Sequence, residues 1–504
     1  MQTRIGRAGA SGRLLLIILL GALTLASTVQ GARAIGPARS AAGTPVAATS
    51  ASESPTDWPV YGQDPSGAKA NEATGLSTAN VASLALSWAV EVGGPVSSTP
   101  VIAGGVAYVG SYDGGLYAID LATGDSIWTY QTGAAVPEPN LQIPLGITGS
   151  AAVEDGVVYV GDATATVHAV DAVTGKARWT TTVDTQPNAS IWSSPVVVAG
   201  TLYVGVASVA KQVGFRGSIV ALDAATGDLL WQTYMVPVGA DGAGVFAVPA
   251  VDAGRGLVYV GTQNAYSSTP APYGNAISIV ALDMTSGEVA WAFNAPPNDG
   301  RTAPTDDVGF SASPNLFTAE IDGASRDLIG EGQKSGVYWA LDRATGAVVW
   351  QTQVSPAGFL GGMEGTSAVA NGIIAVPATD WPAFDGPASG LVSGLDAATG
   401  AVLWTARQTA PAASPVGIAD GLVFHAGLDG IVHAYDLSDG TELWSFDLGG
   451  SASGGIAIAD GVVVVGAATP LFAPFIRPGT TVQAFALGSP GAATPLATPA
   501  TPGT

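Results

Sequence analysis

The sequence predicts an all-β protein, an eight-bladed β-propeller whose last blade is closed by an N-terminal strand. Three observations predict this fold: a unit that recurs seven times, strand-like alternation inside each unit, and a composition suited to short strands and tight turns. Of the 504 residues, 68 are glycine and 47% are hydrophobic, while only 11% are charged. This composition favours many short strands joined by glycine turns.

The recurring unit consists of an aspartate, a glycine four residues later and a tryptophan eight residues later. Unchanged spacing in seven copies is typical of a repeat architecture, in which each copy forms one structural unit. The seven copies are Asp120/Gly124/Trp128, Asp171/Gly175/Trp179, Asp223/Gly227/Trp231, Asp283/Gly287/Trp291, Asp342/Gly346/Trp350, Asp396/Gly400/Trp404 and Asp436/Gly440/Trp444.

Each unit contains segments that alternate with the period of a half-buried strand, such as "GVAYVGS" and "GLYAIDL". The Asp-x-x-Thr-Gly segment has turn chemistry, because Asp binds nearby backbone amides and Gly accepts positive φ. Upstream segments such as "SSTPVIAGG" and "SASPNLF" supply an innermost strand. Four antiparallel strands recurring about every 40 to 60 residues indicate the blades of a propeller.

The eighth blade is predicted to be shared between the two ends of the chain. "GGIAIADGVVVVGAAT" and "TVQAFAL" near the C-terminus supply three strands but no Asp-Gly-Trp turn. "SLALSWAVEV" (83–92) contains Trp88, 40 residues before Trp128, and Trp404 lies 40 residues before Trp444. We therefore expect residues 83–92 to form the outer strand of the last blade and to close the ring.

The terminal segments are expected to lie outside the fold. Arginines followed by an apolar run and the small residues "ARA" indicate a secretory signal over residues 1–34. Residues 35–57 and 488–504 are rich in Ala, Thr, Ser, Pro and Gly, which predicts a disordered linker and tail around a propeller at 58–487. The chain is thus expected to be exported to the periplasm, the cell surface or the medium.

Charge and cysteine content limit the partners. A net charge of −22 disfavours binding to nucleic acid or to anionic membrane surfaces. Since the chain has no cysteine, it lacks the C-x-x-C-H motif of a covalently attached haem. We expect a monomer without bound haem.

The Ala-x-Asp-x-x-Thr-Gly-x-x-x-Trp repeat resembles the tryptophan-docking repeat of eight-bladed quinoprotein propellers. Stretches in consecutive blades are similar to the cofactor-binding segments of pyrroloquinoline-quinone (PQQ) alcohol dehydrogenases, most closely the polyvinyl-alcohol dehydrogenase branch. They are "KQVGFRGSIVALDAATGDLLWQTYMVP" (211–237), "GAGVFAVPAVDAGRGLVYVGTQNAYS" (242–267), the segments around "DDVGFSASPNLF" and "GEGQKSGVYWALDRATG" (306–346), and "LGGMEGTSAV" (360–369).

The resemblance implies a quinone stacked on an aromatic floor, a bound Ca²⁺, an aspartate that takes the alcohol proton and a cation that polarises the quinone. Asn264 matches a calcium-binding asparagine, and Lys334 matches the polarising cation. Gln212 occupies the position of a calcium-binding glutamate, and Phe246 that of the tryptophan floor. Gly309 stands directly before Phe310, where an aspartate is expected, so Asp306 and Asp307 are the candidate proton acceptors.

Each candidate also has a structural alternative. Lys334 could be a solvated cation at a loop tip, Asn264 a turn residue, Phe246 an inner-strand core residue, and Asp306 and Asp307 parts of a polar loop. Two functions therefore remain open. The first is PQQ- and Ca²⁺-dependent oxidation of an alcohol, with polymeric alcohols included among the substrates, and with electrons passed to an external acceptor. The second is a catalytically degenerate propeller that serves as a scaffold for a protein or ligand.

Overall fold

The structure is a computed structural model, and it describes residues 56–137, 144–209, 214–265, 274–296, 308–356, 362–381, 387–468 and 477–488. The expected signal segment, the linker up to residue 55 and the tail from residue 489 lie outside these residues. Three candidate site residues also lie outside them: Gln212, Asp306 and Asp307. Within the described ranges, no helix is long and apolar enough to cross a membrane.

The described strands form eight sheets that are the blades of a propeller, so the predicted fold is confirmed. The N-terminal part and the first four blades contain β1 (Ala70–Asn71), a 3-10 helix (Val81–Ser83), β2 (Leu84–Glu91), β3 (Val101–Ala103), β4 (Val106–Gly110), β5 (Gly115–Asp120), β6 (Ser126–Gln131), β7 (Ala152–Glu154), β8 (Val157–Gly161), β9 (Thr166–Asp171), β10 (Ala177–Thr182), β11 (Ala189–Ser190), β12 (Val196–Val198), β13 (Thr201–Ser208), β14 (Ser218–Asp223), β15 (Leu229–Tyr234), β16 (Ala250–Asp252), β17 (Leu257–Gly261), β18 (Ser278–Asp283) and β19 (Val289–Asn294).

The last four blades contain β20 (Asn315–Ile321), β21 (Ala324–Gly332), β22 (Val337–Asp342), β23 (Val348–Gln353), β24 (Ala368–Ala370), β25 (Ile373–Asp380), β26 (Ser389–Asp396), β27 (Val402–Gln408), β28 (Gly417–Ala419), β29 (Leu422–Ala426), β30 (Ile431–Asp436), β31 (Glu442–Asp447), β32 (Ile456–Ala459), β33 (Val462–Gly466) and β34 (Thr481–Leu487). Blade 1 is β3–β6, blade 2 is β7–β10, blade 3 is β12–β15 with β11 beside β13, and blade 4 is β16–β19. Blades 5, 6 and 7 are β20–β23, β24–β27 and β28–β31, with β1 beside β28.

Blade 8 contains strands from both ends of the described chain. Its order is β2-β34-β33-β32, and β2 pairs antiparallel with β34. The N-terminal strand is therefore the outer strand of this blade, and the sheet joins residues that are about 400 positions apart in the sequence, such as Leu84 and Leu487.

The repeat tryptophans pack on the following blade rather than on their own turn. Trp128 lies over Gly175 of the next repeat, where a Cβ would come within 2.7 Å of the indole, and its Nε1 donates to Ala172 O at 2.9 Å. Gly175 has a φ of +66°, which also favours glycine. In the same turn, Asp171 Oδ1 accepts a hydrogen bond from Thr174 N at 2.9 Å. The invariant spacing of the repeat thus places an indole of one blade against a bare backbone of the next.

Hydroxyl groups before the innermost strands link neighbouring blades around the axis. Ser150 N donates to Ser194 Oγ at 2.8 Å between blades 2 and 3, and Val248 N donates to Ser313 Oγ at 2.8 Å between blades 4 and 5. Ser313 N in turn donates to Thr366 Oγ1 of blade 6 at 2.9 Å. Because these groups are buried, each of the bonds satisfies a backbone donor that water cannot reach.

Residues 57–71 follow the ring from blade 1 to blade 8 and contact the innermost strands of most blades. Lys69, which is fully buried, donates from Nζ to Tyr61 O at 2.8 Å, and Nζ lies 3.8 Å from the centroid of the Tyr61 ring. Burial lowers the pKa of the Lys69 amine to about 7. The contacts with the innermost strands are Trp58 with Ile102, Pro59 with Val153, Pro65 with Val251, Ser66 with Leu316, Ala68 with Val369, Lys69 with Ile418 and Asn71 with Ile458.

Candidate functional site

The candidate site lies on the face of the ring that we call the axial face. This face carries the loops that lead into the innermost strands and the loops that join the second and third strands of each blade. Phe246 lies in the loop before β16, Asn264 lies after β17, and Lys334 lies between β21 and β22. Blades 4 and 5 therefore bring all three described candidates to one face.

The loop of Lys334 is fixed by hydrogen bonds to the loop that leads into β20. Lys334 N donates to Gly309 O at 3.1 Å, and Gln333 Nε2 donates to Val308 O at 2.7 Å. The Lys334 side chain is only 13% exposed, and its Nζ lies 3.3 Å from Glu364 Oε1 of the loop before β24. Lys334 is therefore a largely buried, ion-paired group and not a freely solvated cation.

Asn264 connects blade 4 to the same loop. Its side chain is buried, and its Oδ1 accepts a hydrogen bond from Val308 N at 3.2 Å. Its carbonyl oxygen accepts a hydrogen bond from Ala243 N at 2.8 Å. Gly309 is so close that a Cβ on it would lie 3.0 Å from Asn264 Oδ1. Asn264, Gly309 and Lys334 are therefore contiguous.

Phe246 packs against Trp192, a residue that the sequence analysis missed. The two ring centroids are 5.9 Å apart and the ring planes are inclined by 46°, which is a favourable arrangement for an aromatic pair. Trp192 lies in the loop before β12, and its buried Nε1 has no hydrogen-bond partner among the described residues. Its position outside the repeat spacing, directly before "SSP", is a signal that could have identified it.

A small apolar cluster from blades 1 to 3 lies next to the aromatic pair. Trp192 packs against this cluster, which contains Tyr112, Leu145, Ala163 and Val209. Tyr112 and Ala163 occupy, in their own blades, the position that Lys334 occupies in blade 5. We call Tyr112, Leu145, Ala163, Trp192 and Phe246 the apolar wall, and Asn264, Lys334 and Glu364 the polar wall.

A second carboxyl group lies next to the polar wall but inside the protein. Glu331 of β21 is fully buried, and neither of its carboxyl oxygens has a hydrogen-bond partner among the described residues. The space that it fills exists because Gly261 has no side chain: a Cβ there would overlap with Glu331 Oε1 and lie 2.8 Å from Phe310 Cβ. Burial raises the pKa of Glu331 well above its ordinary value, which favours the neutral acid.

The metal-binding expectation rests on Asn264 and Gln212, of which the structure describes only Asn264. Across the described ranges, no group of three or more acidic or histidine side chains is arranged to hold a metal ion. The amide oxygen of Asn264 is a suitable hard donor for Ca²⁺. Gln212 and the candidate bases Asp306 and Asp307 lie outside the described residues.

The two walls carry groups suited to a flat aromatic ligand with oxygen atoms at its edge. The rings of Trp192 and Phe246 offer stacking surface, and the unpartnered indole N–H can donate to a carbonyl or carboxylate. Lys334 supplies the positive charge that such oxygens attract. This arrangement is compatible with the PQQ that the sequence resemblance implies.

The sequence matches the PQQ family described as "Glucose/ethanol/alcohol dehydrogenase, beta-propeller domain" over residues 58–368. A family described as "Outer membrane protein assembly factor BamB" matches residues 333–482. The first match covers more than half of the chain and includes every candidate site residue.

Curated relatives agree with the first match. The polyvinylalcohol dehydrogenase of Sphingopyxis sp. (strain 113P3) is 30% identical over 449 residues, which cover 76% of this chain and 67% of that protein. The polyvinylalcohol dehydrogenase of a Pseudomonas species is 30% identical over 350 residues, which cover 62% of this chain and 53% of that protein. The chain therefore spans about half to two thirds of the length of these relatives.

A solved structure, the quinohemoprotein alcohol dehydrogenase ADHIIG of Pseudomonas putida HK5, has the same fold. Its TM-score is 0.78, and the match covers 88% of this chain and 82% of that one. The sequence identity is 21%, so this likeness concerns the fold alone.

Proposed function

This chain belongs to the PQQ family of glucose, ethanol and alcohol dehydrogenase β-propellers, and on that basis we propose that it is an exported quinoprotein that oxidises an alcohol. The observation that carries the proposal is the aromatic pair Trp192–Phe246 on the same face as the ion-paired Lys334. The names of the two relatives favour a polymeric alcohol as substrate.

Each candidate site residue has its own role in this reaction. Phe246 and Trp192 stack on the quinone, and Lys334 neutralises and polarises its oxygens. Asn264 and Gln212 hold Ca²⁺ through amide oxygens; with a glutamine in place of a carboxylate, calcium binds more weakly. The bound quinone supplies a two-electron acceptor for the hydride of the alcohol carbon. Asp306 and Asp307 are candidate acceptors of the hydroxyl proton.

The remaining features of the proposal come from the sequence. Residues 1–34 direct export, residues 35–57 and 488–504 flank the propeller, and the protein acts as a monomer. Since the sequence contains no cysteine, no C-x-x-C-H haem site is present, and the electrons leave the quinone for a separate acceptor.

The test is a titration of the purified full chain with PQQ in the presence of Ca²⁺ or of a chelator. Tryptophan fluorescence and quinone absorbance measure the binding. We expect saturable, calcium-dependent binding at micromolar PQQ, and oxidation of polyvinyl alcohol or a short secondary alcohol with an added dye as acceptor. Absence of calcium-dependent PQQ binding at these concentrations would exclude the quinoprotein function.

A catalytically degenerate scaffold is the second candidate. The match of residues 333–482 to an assembly-factor family and the glycine at position 309 favour it. This alternative predicts a stable propeller that binds no PQQ, so the same titration separates the two functions.

A further inference from the structure

Alcohol oxidation requires a group that accepts the hydroxyl proton while the hydride leaves carbon. Position 309, directly before Phe310, cannot supply it. A Cβ on Gly309 would lie 2.7 Å from Gln263 Cα and Oε1 and 3.0 Å from Asn264 Oδ1. These contacts are shorter than ordinary van der Waals separations, so the backbone is packed too closely there to accept any side chain without displacement of its neighbours.

Two described carboxyl groups differ in their relation to Lys334: Glu331 lies three residues before it in the chain, and Glu364 is its ion-pair partner. Glu331 is fully buried, which favours its neutral form and separates it from any substrate. Glu364 is 22% exposed on the axial face, and its Oε1 lies 3.3 Å from Lys334 Nζ. Only the second group can both meet a substrate and hold a negative charge next to the cation.

We propose that Glu364 is the proton acceptor of the reaction, an inference that rests on the proposed function. The ion pair orients the carboxylate towards the cation that faces the quinone oxygens, so a substrate hydroxyl bound beside Lys334 lies within reach of Glu364. The loop that holds Glu364 belongs to blade 6, and the loop that holds Lys334 belongs to blade 5. The proton acceptor and the cation therefore meet where these two neighbouring blades pack together.

The O–H bond of the alcohol breaks and an O–H bond to the Glu364 carboxylate forms. The C–H bond breaks with its electron pair, which passes as hydride to the ortho-quinone cofactor, the co-reactant of the step. The alcohol carbon is oxidised to a carbonyl, and the quinone is reduced by two electrons. Once Glu364 is neutral, its attraction for Lys334 is weaker, and the positive charge of Lys334 can act more strongly on the negative charge left on the acceptor oxygen.

The experiment compares the full chain with E364Q, E364A, D306N and D307N, each loaded with PQQ and Ca²⁺. Two quantities are measured: the affinity for PQQ, from tryptophan quenching, and the rate of reduction of bound quinone by excess alcohol in a single turnover, from its absorbance. We expect E364Q to bind PQQ within about threefold of the unaltered protein but to reduce it about 100-fold or more slowly, the range for loss of a general base.

E364A adds a test that a structural role of Glu364 would not pass. Added formate should restore part of the reduction rate in E364A, because a small carboxylate can enter the space left by the side chain, and should have no effect on E364Q. D306N and D307N test the two other candidate acceptors of the proton under the same conditions.

Three results would overturn the inference while leaving the proposed function intact: an unaltered reduction rate in E364Q, loss of PQQ binding in E364Q and E364A, or a rate loss confined to D306N or D307N. If the unaltered protein binds no PQQ, the proposed function itself is wrong, and this inference is wrong with it.

Discussion

The apolar and polar walls of the axial face are built on equivalent positions of the same repeat. Tyr112 and Ala163 occupy in blades 1 and 2 the loop position that Lys334 occupies in blade 5. On the opposite face, the Asp-Gly-Trp turns keep the same spacing in seven blades, and the glycine of each turn meets an indole of the preceding blade. The comparison shows that the residue types of the turns are constrained by packing between blades. The residue types of the axial loops can differ from blade to blade, so these loops can hold functional side chains.

The largest expected effect comes from removing the charge of the polar wall. K334M leaves a side chain of similar length without a cation, and we expect dye-linked alcohol oxidation at saturating PQQ to fall about 100- to 1000-fold, the range for loss of one preorganised donor at a developing negative charge. K334R should retain more activity. The matched control is R178M, which removes a cation paired with Asp171 on an exposed turn far from the site. Equal losses in K334M and R178M would mean that the cation of the polar wall affects oxidation no more than a cation outside the site.

The second prediction asks whether the carboxyl group of Glu331, inside the protein, is neutral. In the folded protein the pKa of Glu331 lies well above its ordinary value of 4.5, so the unfolded chain loses this proton first as pH rises. The free energy of unfolding should therefore fall by about 1.4 kcal/mol per pH unit between 4.5 and the folded pKa. E331Q does not titrate, so its advantage over the unaltered protein should be small at pH 4 and grow towards pH 7.

Urea denaturation at several pH values measures this difference. Parallel stability profiles for E331Q and the unaltered protein would mean that Glu331 ionises alike in the folded and unfolded states. The contrast with Glu364 would then disappear.

The third prediction concerns the apolar wall. W192A removes the indole that packs on Phe246, and we expect the affinity for PQQ to fall about 10- to 100-fold, corresponding to the 1–3 kcal/mol of a stacked aromatic ring. W192F keeps a ring but loses the N–H donor, so its affinity should lie between those of W192A and the unaltered protein. Equilibrium dialysis measures the PQQ affinity of both variants, because it does not depend on the tryptophan fluorescence that the substitutions change. An unchanged affinity in W192A would restrict the site to the polar wall.

The smallest effect is expected from the calcium ligand. Q212E adds a negative charge to an oxygen donor set, and we expect the calcium concentration needed for half-maximal PQQ binding to fall about tenfold. Q212A should show no such gain. If Q212E and Q212A respond to calcium alike, Gln212 is not a calcium ligand, and Asn264 is then the remaining candidate ligand.

The site was only partly predictable from the sequence. Asn264 and Lys334 were predicted by their resemblance to family segments, and the structure brings them together through the loop of Val308 and Gly309. Trp192 and the Lys334–Glu364 ion pair were not predicted. No sequence spacing links Glu364 to Lys334, because the two loops belong to different blades.

The sequence by itself determined the propeller. The Asp-to-Trp spacing lies within nine residues, so turn and outer strand are encoded locally, and seven copies fix the number of repeating blades. The tertiary structure alone decided which side chains meet at the axis. It places the Trp192 ring on Phe246, pairs Glu364 with Lys334 and closes position 309 to side chains. It also buries Glu331 where none of the described residues is its hydrogen-bond partner. These relations join loops of separate blades, and their geometry is set by how the blades pack around the ring rather than by the local sequence of any one of them.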